Sequence, residues 1–321
     1  MERTLCARLA QQKIRCDRYD GYDSAARKAR DMNATVYVNG RITDAASAAV
    51  PVFDHGFLYG EGVYETLRTY GRQPFLFERH MRRLRRSASL MALDVPFADA
   101  DLRDKVERTM AAHRGLDEAY IRILLTRGVG ELTYNPAATP APSLIIIVKP
   151  FPNPPERTFT EGIRVSLVSI RRNHPAALNP MIKSNNLMNN ALAMQEALGR
   201  GAEEALMLNQ AGEIVECSQS NFFLVRGGAL LTPPLAAGLL PGITREFVIE
   251  LAGELGIPAR EETLTPQDLA TAEEAFISGT TREVTPVVAV DDTPIGRGRP
   301  GAITNRLLDT FRAKVQASAL R

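Results

Sequence analysis

Lys183 stands in Pro180-Met181-Ile182-Lys183-Ser184-Asn185-Asn186-Leu187, between a strand-rich stretch and a helix start marked by the capping types Ser and Asn. Flanked by Met181, Ile182 and Leu187, its amine could be partly desolvated, which would lower its pKa and make it a nucleophile toward an aldehyde. Taken alone, it reads more simply as a surface lysine near a helix start. A second segment, Leu240-Pro241-Gly242-Ile243-Thr244, leads through Pro and Gly into Phe247, Val248, Ile249 and Leu251. This is the pattern of a helix whose first N–H groups and dipole can receive a phosphate, although Thr244 by itself could equally be an ordinary cap. Ser218 and Ser220 could be nucleophiles of an enzyme without a cofactor, but the chain has only four histidines and none is near these serines in sequence. Five arginines between positions 79 and 86 lack interleaved aromatics, so they read as a solvated helix face and not as a nucleic-acid contact.

The weighing changes with Glu216-Cys217-Ser218-Gln219-Ser220-Asn221-Phe222-Phe223, followed by Leu230-Leu231-Thr232 and Leu240-Pro241-Gly242-Ile243-Thr244-Arg245. The order and spacing of Glu, Asn, aromatic, Thr and Gly-Ile-Thr-Arg resemble the signature of class IV aminotransferases, the fold-type IV enzymes of pyridoxal 5'-phosphate (PLP). Asp54 to Glu65 upstream and Phe276 to Pro286 downstream extend the resemblance from about Val36 to Phe311. It implies that Lys183 forms the Schiff base with PLP and that Glu216 faces the cofactor's ring nitrogen, which stores carbanion electrons well only when protonated. It further implies that Ile243, Thr244 and Thr280 bind the phosphate, with Gly279 permitting close backbone approach. Arg83, in His80-Met81-Arg82-Arg83-Leu84, resembles the arginine that pairs with that phosphate.

The substrate is chosen by other segments. Tyr120-Ile121-Arg122 resembles the Tyr-x-Arg element of branched-chain aminotransferases, and Asn135-Pro136 falls where their substrate loop has Asn-Pro. Tyr59 and Tyr64 occupy the aromatic positions of that pocket, with Thr281 beside them, and Tyr59 is expected to reach across a dimer interface; half-buried packing is the plain alternative for each tyrosine. D-amino acid aminotransferases trap the substrate carboxylate with Arg-x-His, whereas Arg127-Gly128 is followed here by Leu132 and Tyr134. The resemblance therefore implies ping-pong transamination of branched-chain L-amino acids with 2-oxoglutarate. Features near Lys183, Tyr64-Glu65 and Thr126-Arg127-Gly128 keep open a D-amino acid or R-amine aminotransferase, or an aminodeoxychorismate lyase. A homologue that binds PLP without turnover is a further alternative.

These residues need a scaffold. Thr35 to Val38, the turn Asn39-Gly40 and Arg41-Ile42 read as a hairpin. Val63 to Tyr70 reads as a strand that turns at Gly71-Arg72 and returns over Pro74 to Phe77. Glu78 to Leu93 has helical spacing of Met81, Leu84, Ala88, Met91 and Ala92. Arg122 to Thr126 and Leu144 to Lys149 read as strands around a long loop rich in Gly and Pro, a type of loop that is more often functional than not. The run Lys149 to Pro155 is the linker candidate. Beyond it, strands are expected over Ile163 to Ile170, Ala205 to Leu208, Ile214 to Cys217, Asn221 to Arg226 and Ala275 to Ser278. Helices are expected over Asn186 to Leu198, Ile243 to Leu255 and Gly301 to Val315. The expected class is α+β with barrel-like closure of the second sheet. Its parts would be an extension over 1–33, a small domain over 34–149, a linker over 150–160 and a PLP-binding domain over 161–321.

Composition agrees with this. The 321 residues are 45% hydrophobic and 24% charged with a formal net charge of +2, ordinary for a two-domain globular chain without nucleic acid or membrane as partner. Three cysteines without metal-ligand spacing point to no metal site and to reducing cytoplasm. Amino acids, 2-oxo acids and a second copy in a homodimer are the expected partners.

Overall fold

The computed structural model describes residues 32–319. Nearly all of the extension expected over residues 1–33 lies outside them. The first sheet has six strands, all antiparallel, in the order β2-β1-β6-β5-β3-β4. These are β1 (Thr35–Val38), β2 (Arg41–Asp44), β3 (Gly62–Tyr70), β4 (Gln73–Pro74), β5 (Ala119–Thr126) and β6 (Ser143–Pro150). Asn39 (φ 44°) and Gly40 (φ 99°) form the expected turn between the first two strands.

Alternation gives this sheet two faces. Val63, Leu67, Ile121, Ile123, Leu125, Leu144, Ile146 and Val148 point into a core covered by α2 (Phe77–Ser89) and α3 (Asp99–Ala112) through Met81, Leu84, Ala88, Leu102 and Val106. Each such large side chain contributes about 1.5–3 kcal/mol by leaving water. The intervening positions carry Tyr64, Thr66, Tyr120 and Arg122, which line a cavity. A one-turn helix α1 (His55–Leu58) precedes β3, with Asp54 accepting from the Gly56 N–H at 2.8 Å.

Around this sheet three local expectations change. The returning strand covers only Gln73 and Pro74, because Leu76 turns into the left-handed region (φ 53°) and Phe77 already starts α2. At its other end α2 stops at Ser89 and not near Leu93. Ala92 takes φ 48°, Leu93 N donates to Ala88 O (2.9 Å) and Ala92 N to Ser89 O (3.1 Å), a Schellman-type end without the usual glycine. Helix α3 forms where no element was expected; Asp101 caps it by accepting from Ala98 N at 3.2 Å.

The second sheet contains β7 (Ile163–Leu167), β8 (Glu204–Leu208), β9 (Ile214–Cys217), β10 (Asn221–Arg226), β11 (Ala229–Thr232), β12 (Ala259–Glu261), β13 (Glu274–Gly279), β14 (Glu283–Val290) and β15 (Thr293–Pro294). Six of them, β9-β8-β7-β14-β13-β10, close on themselves through the pair Asn221↔Glu216, so the barrel-like closure is present. Helix α4 (Arg157–Thr160) lies between the two sheets in sequence, and α5 (Met188–Gly199), α6 (Ile243–Glu254) and α7 (Ala302–Ala319) accompany the barrel. Strand β10 is apolar without alternation because both its faces are buried. Phe222 and Leu224 join one core with Leu206, Leu208 and Ile277, while Phe223 and Val225 join another with Val248, Leu251, Leu307 and Phe311.

The segment bearing Lys183 sews the two sheets together. Tyr64 N donates to Lys183 O and Asn185 N to Gly62 O, each at 2.9 Å, and Lys183 N donates to Ser87 Oγ on α2 at 3.1 Å. A side chain at Gly62 would press on Asn185 Nδ2 and on the Leu125 carbonyl, so glycine is what lets β3 approach this segment.

Candidate active site

A cavity of about 540 Å³ lies between the polar face of β3 and β5, the middle of α2, the Lys183 segment, the closing seam of the barrel, and the start of α6. Lys183, Arg83, Glu216, Ile243, Thr244, Thr280, Thr281, Tyr64, Tyr120 and Arg122 all line it, although they come from seven separate stretches of chain. Tyr59 does not. It packs outside, 4.9 Å from the His55 ring and 5.1 Å from the exposed ring of Tyr134.

The Lys183 ammonium sits 4.5 Å from the centroid of Tyr64, and the Arg122 guanidinium carbon 4.0 Å from the same ring. Among the described residues neither cationic head has a hydrogen-bond or carboxylate partner. A tyrosine ring holds both by its electron-rich face, a weak attraction that leaves their donors available.

Glu216 is the opposite case. It belongs to β9, is buried, and accepts from Arg172 Nε at 2.7 Å, from Leu240 N at 3.1 Å and from Asn221 Nδ2 at 3.4 Å. Burial pushes its carboxyl above the ordinary range, against the pull of Arg172. Neither Arg172 nor Asn221 was singled out for a role in the sequence. Asn221 sits inside the motif and pairs with Glu216 across the closure, whereas nothing local distinguishes Arg172 from Arg171 beside it.

Arg83 is clamped. Its Nε and Nη2 donate to the two oxygens of Glu65 at 2.8 and 2.7 Å, and its Nη1 donates to Pro241 O at 3.0 Å. A guanidinium has five N–H groups, so two remain uncommitted among the described residues. Burial works to raise the Glu65 carboxyl, but Arg83 and then His80 outweigh it and hold it at about 2. Burial also drives His80 down, so the neutral imidazole donates its Nδ1–H to Glu65 at 2.7 Å. The Glu65-His80-Arg83 cluster was legible only as far as Arg83.

Helix α6 begins at Ile243 with Gly242 as N-cap and no side-chain cap, which leaves first-turn N–H groups free for an anion. A Cβ at position 242 would collide with Asn221 Oδ1. Nearby, the Ser220 and Ser278 hydroxyls are buried without a partner among the described residues. Among the described residues the cavity thus offers an unpaired lysine, a buried carboxylate, an uncapped helix start, a clamped arginine and two orphan hydroxyls. A phosphorylated pyridine aldehyde has a chemical counterpart for each of these groups.

Arg127, in the long loop between β5 and β6, is committed elsewhere. It donates to the carbonyls of Met91 (2.8 Å) and Ala92 (3.1 Å), completes the end of α2, and lies 3.3 Å from Glu61.

No helix among the described residues is long and apolar enough to cross a membrane. The family description Amino-transferase class IV matches residues 62–290. A protein of Methanocaldococcus jannaschii, provisionally named a branched-chain-amino-acid aminotransferase, is 41% identical over 277 residues, covering 86% of this chain and 95% of that one. The D-alanine aminotransferase of Listeria monocytogenes is 33% identical over 278 residues, covering 86% and 94%. A solved T.th. branched-chain amino acid aminotransferase, complexed with N-(5'-phosphopyridoxyl)-L-glutamate, superposes with a TM-score of 0.82 at 30% identity, covering 88% of this chain and 94% of that one. Closed barrel, lysine seam, signature block and family match agree, and the chain belongs to the class IV aminotransferases.

Proposed function

We propose that the protein is a PLP-dependent aminotransferase that moves amino groups between branched-chain L-amino acids and 2-oxoglutarate. The observation that carries the proposal is the pair of cations, Lys183 and Arg122, unpartnered among the described residues, on one tyrosine ring inside a cavity whose other charges are already paired. When bound, the cofactor supplies an electron sink for the charge left on the substrate's α-carbon.

In this reading Lys183 Nζ holds the cofactor's aldehyde carbon and, once displaced by substrate, carries the α-proton. Glu216 keeps a proton on the ring nitrogen. Ile243, Thr244, Thr280 and Arg83 hold the phosphate. Tyr64, Tyr120, Arg122 and Thr281 surround the side chain and carboxylate of the substrate. An aliphatic side chain leaves Arg122 stacked on Tyr64, and the distal carboxylate of glutamate recruits it. Leaving that carboxylate buried without a partner would cost several kcal/mol, roughly.

The reading includes a cytoplasmic homodimer in which Tyr59 approaches the partner's site. Exposed apolar side chains around Tyr59 support the dimer: Phe53, Phe57, Leu132 and Tyr134, the last two on a loop tied to Phe53 by the Gly130 N–H. The Listeria relative keeps D-amino acid transamination as the second reading. Its arginine candidate, Arg127, is occupied by backbone carbonyls outside the cavity, which favours the first. Half-reaction spectra with a panel of L- and D-amino acids test the choice. Conversion by L-leucine, L-isoleucine, L-valine and L-glutamate supports it, and conversion by D-alanine or D-glutamate alone refutes it.

A further inference from the structure

The turn that carries Thr280 and Thr281 ends at Glu283, and Glu283 is anchored from outside the cavity. Its backbone is left-handed (φ 52°), a conformation that is strained for a residue with a Cβ and persists only where the surroundings enforce it. Its side chain is buried and fully engaged. Oε1 accepts from Arg68 Nη1 at 3.0 Å and from the Tyr70 hydroxyl at 3.1 Å, and Oε2 accepts from Arg312 Nε at 2.8 Å.

These donors come from three places. Arg68 and Tyr70 lie on β3, on the same face as Tyr64 and Thr66, so one strand supplies both a wall of the cavity and the grip on Glu283. Arg312 lies on α7. Arg68 is itself wedged between rings, its guanidinium carbon 4.0 Å from the centroid of Tyr70 and 3.7 Å from that of Phe151, on the connection between the sheets. Burial, with Glu283 adding to it, drives the Tyr70 hydroxyl far above its usual range, so it stays protonated as a donor.

We propose that Glu283 is a positioning residue: held by Arg68, Tyr70 and Arg312, it sets the separation between the Tyr64 wall on β3 and the Thr280–Thr281 turn, and so the size of substrate the cavity accepts. A glycine would relax the backbone at this position but could not join the two halves. Arg282 N donates to Gly279 O at 3.0 Å and Thr285 Oγ1 to Arg282 O at 2.6 Å, which makes the turn a rigid unit that moves with its anchor. The proposal rests on the functional reading above only in taking Tyr64, Thr280 and Thr281 as ligand contacts.

The test is Glu283→Gln, which keeps the shape and removes the charge, with Arg312→Gln as a milder second variant that leaves Arg68 and Tyr70 in place. Hydrogen exchange on the cofactor-free protein should show faster exchange over residues 279–283 in both variants, with the rest of the barrel strands unchanged. In the loaded enzyme KM should rise about tenfold for Glu283→Gln, the loss expected for one charge-assisted hydrogen bond, and the ratio between L-leucine and L-glutamate should shift. The rate at saturation should stay within about twofold, since no group that moves a proton is changed. Unchanged exchange over the turn, or a KM and substrate ratio equal to wild type, overturns the proposal. If Glu283→Gln does not fold, Arg312→Gln decides by the same criteria. Wild-type turnover separates the two ideas. An enzyme inactive on L-leucine fails the branched-chain reading, while the exchange result and the variant-to-wild-type ratio on whichever amino acid is used test Glu283 alone.

Discussion

At the end of the cavity built from the barrel and α2, each charged group already has partners. Glu216 accepts three hydrogen bonds, and Arg83 gives three of its five donors to Glu65 and Pro241. At the end built from β3 and β5, Arg122 and Lys183 rest on the Tyr64 ring and touch no carboxylate among the described residues. The first arrangement is preorganised and suits a ligand that never changes. The second leaves its donors uncommitted and suits a site that must receive an aliphatic side chain in one half-reaction and a carboxylate in the next. Arg127 repeats the lesson five residues from Arg122, for an arginine that closes a helix end has little left for a substrate.

The largest effect that would break this division is at the boundary between the ends. Lys183→Ala should reduce transamination by about ten-thousand-fold, the loss of a positioned proton carrier and point of attachment. Borohydride reduction of the wild type should label one peptide, that containing Lys183, and the variant should take up no label. Labelling of another lysine contradicts the assignment.

Effects at the paired end should reach into stability. Arg83→Leu leaves Glu65 buried with His80 as its remaining partner, and should destabilise the fold by roughly 3–5 kcal/mol in urea unfolding. A loss below 1 kcal/mol, roughly the value of an exposed pair, would show that the cluster is not rigid. Glu216→Gln should keep the cofactor bound but slow the half-reaction about a hundredfold. An unimpaired single-turnover rate removes Glu216 from its role.

Acid provides the gentlest probe of the same end. The Glu65 carboxyl is held at about 2, below the ordinary 4.5, so its contribution to stability is complete above 4.5 and disappears as pH falls toward 2. Urea midpoints measured across that window should decline in the wild type and decline less in Glu65→Gln. Parallel curves would mean that another carboxyl governs acid stability.

Much of this division was readable in the sequence where a motif is local. The segment Glu216 to Phe223 keeps its spacing because it is the hairpin that closes the barrel, and Leu240 to Thr244 is continuous with the helix whose start it forms. Arg172, His80 and Glu65 act through contacts that are far apart in sequence, 44 positions for Arg172 and Glu216, and no spacing announces them. The misjudged boundaries share another cause. Leu76 and Ala92 take left-handed backbone without being glycine, so the turn is imposed by tertiary bonds and not by residue type. Helix α3 escaped because its buried face is only Leu102, Val106 and Thr109, and its start is capped by Asp101 without a Ser or Asn at the N-cap.

The division of labour is tested most directly by comparing Arg122→Ala with Arg127→Ala in single-turnover half-reactions on L-leucine and L-glutamate. Removing Arg122 should slow the glutamate reaction at least about tenfold more than the leucine reaction, since only glutamate needs its guanidinium. Removing Arg127 should lower stability and leave the leucine-to-glutamate ratio unchanged. Equal losses on both substrates in Arg122→Ala, or a glutamate-selective loss in Arg127→Ala, would contradict the assignment of the adaptable end.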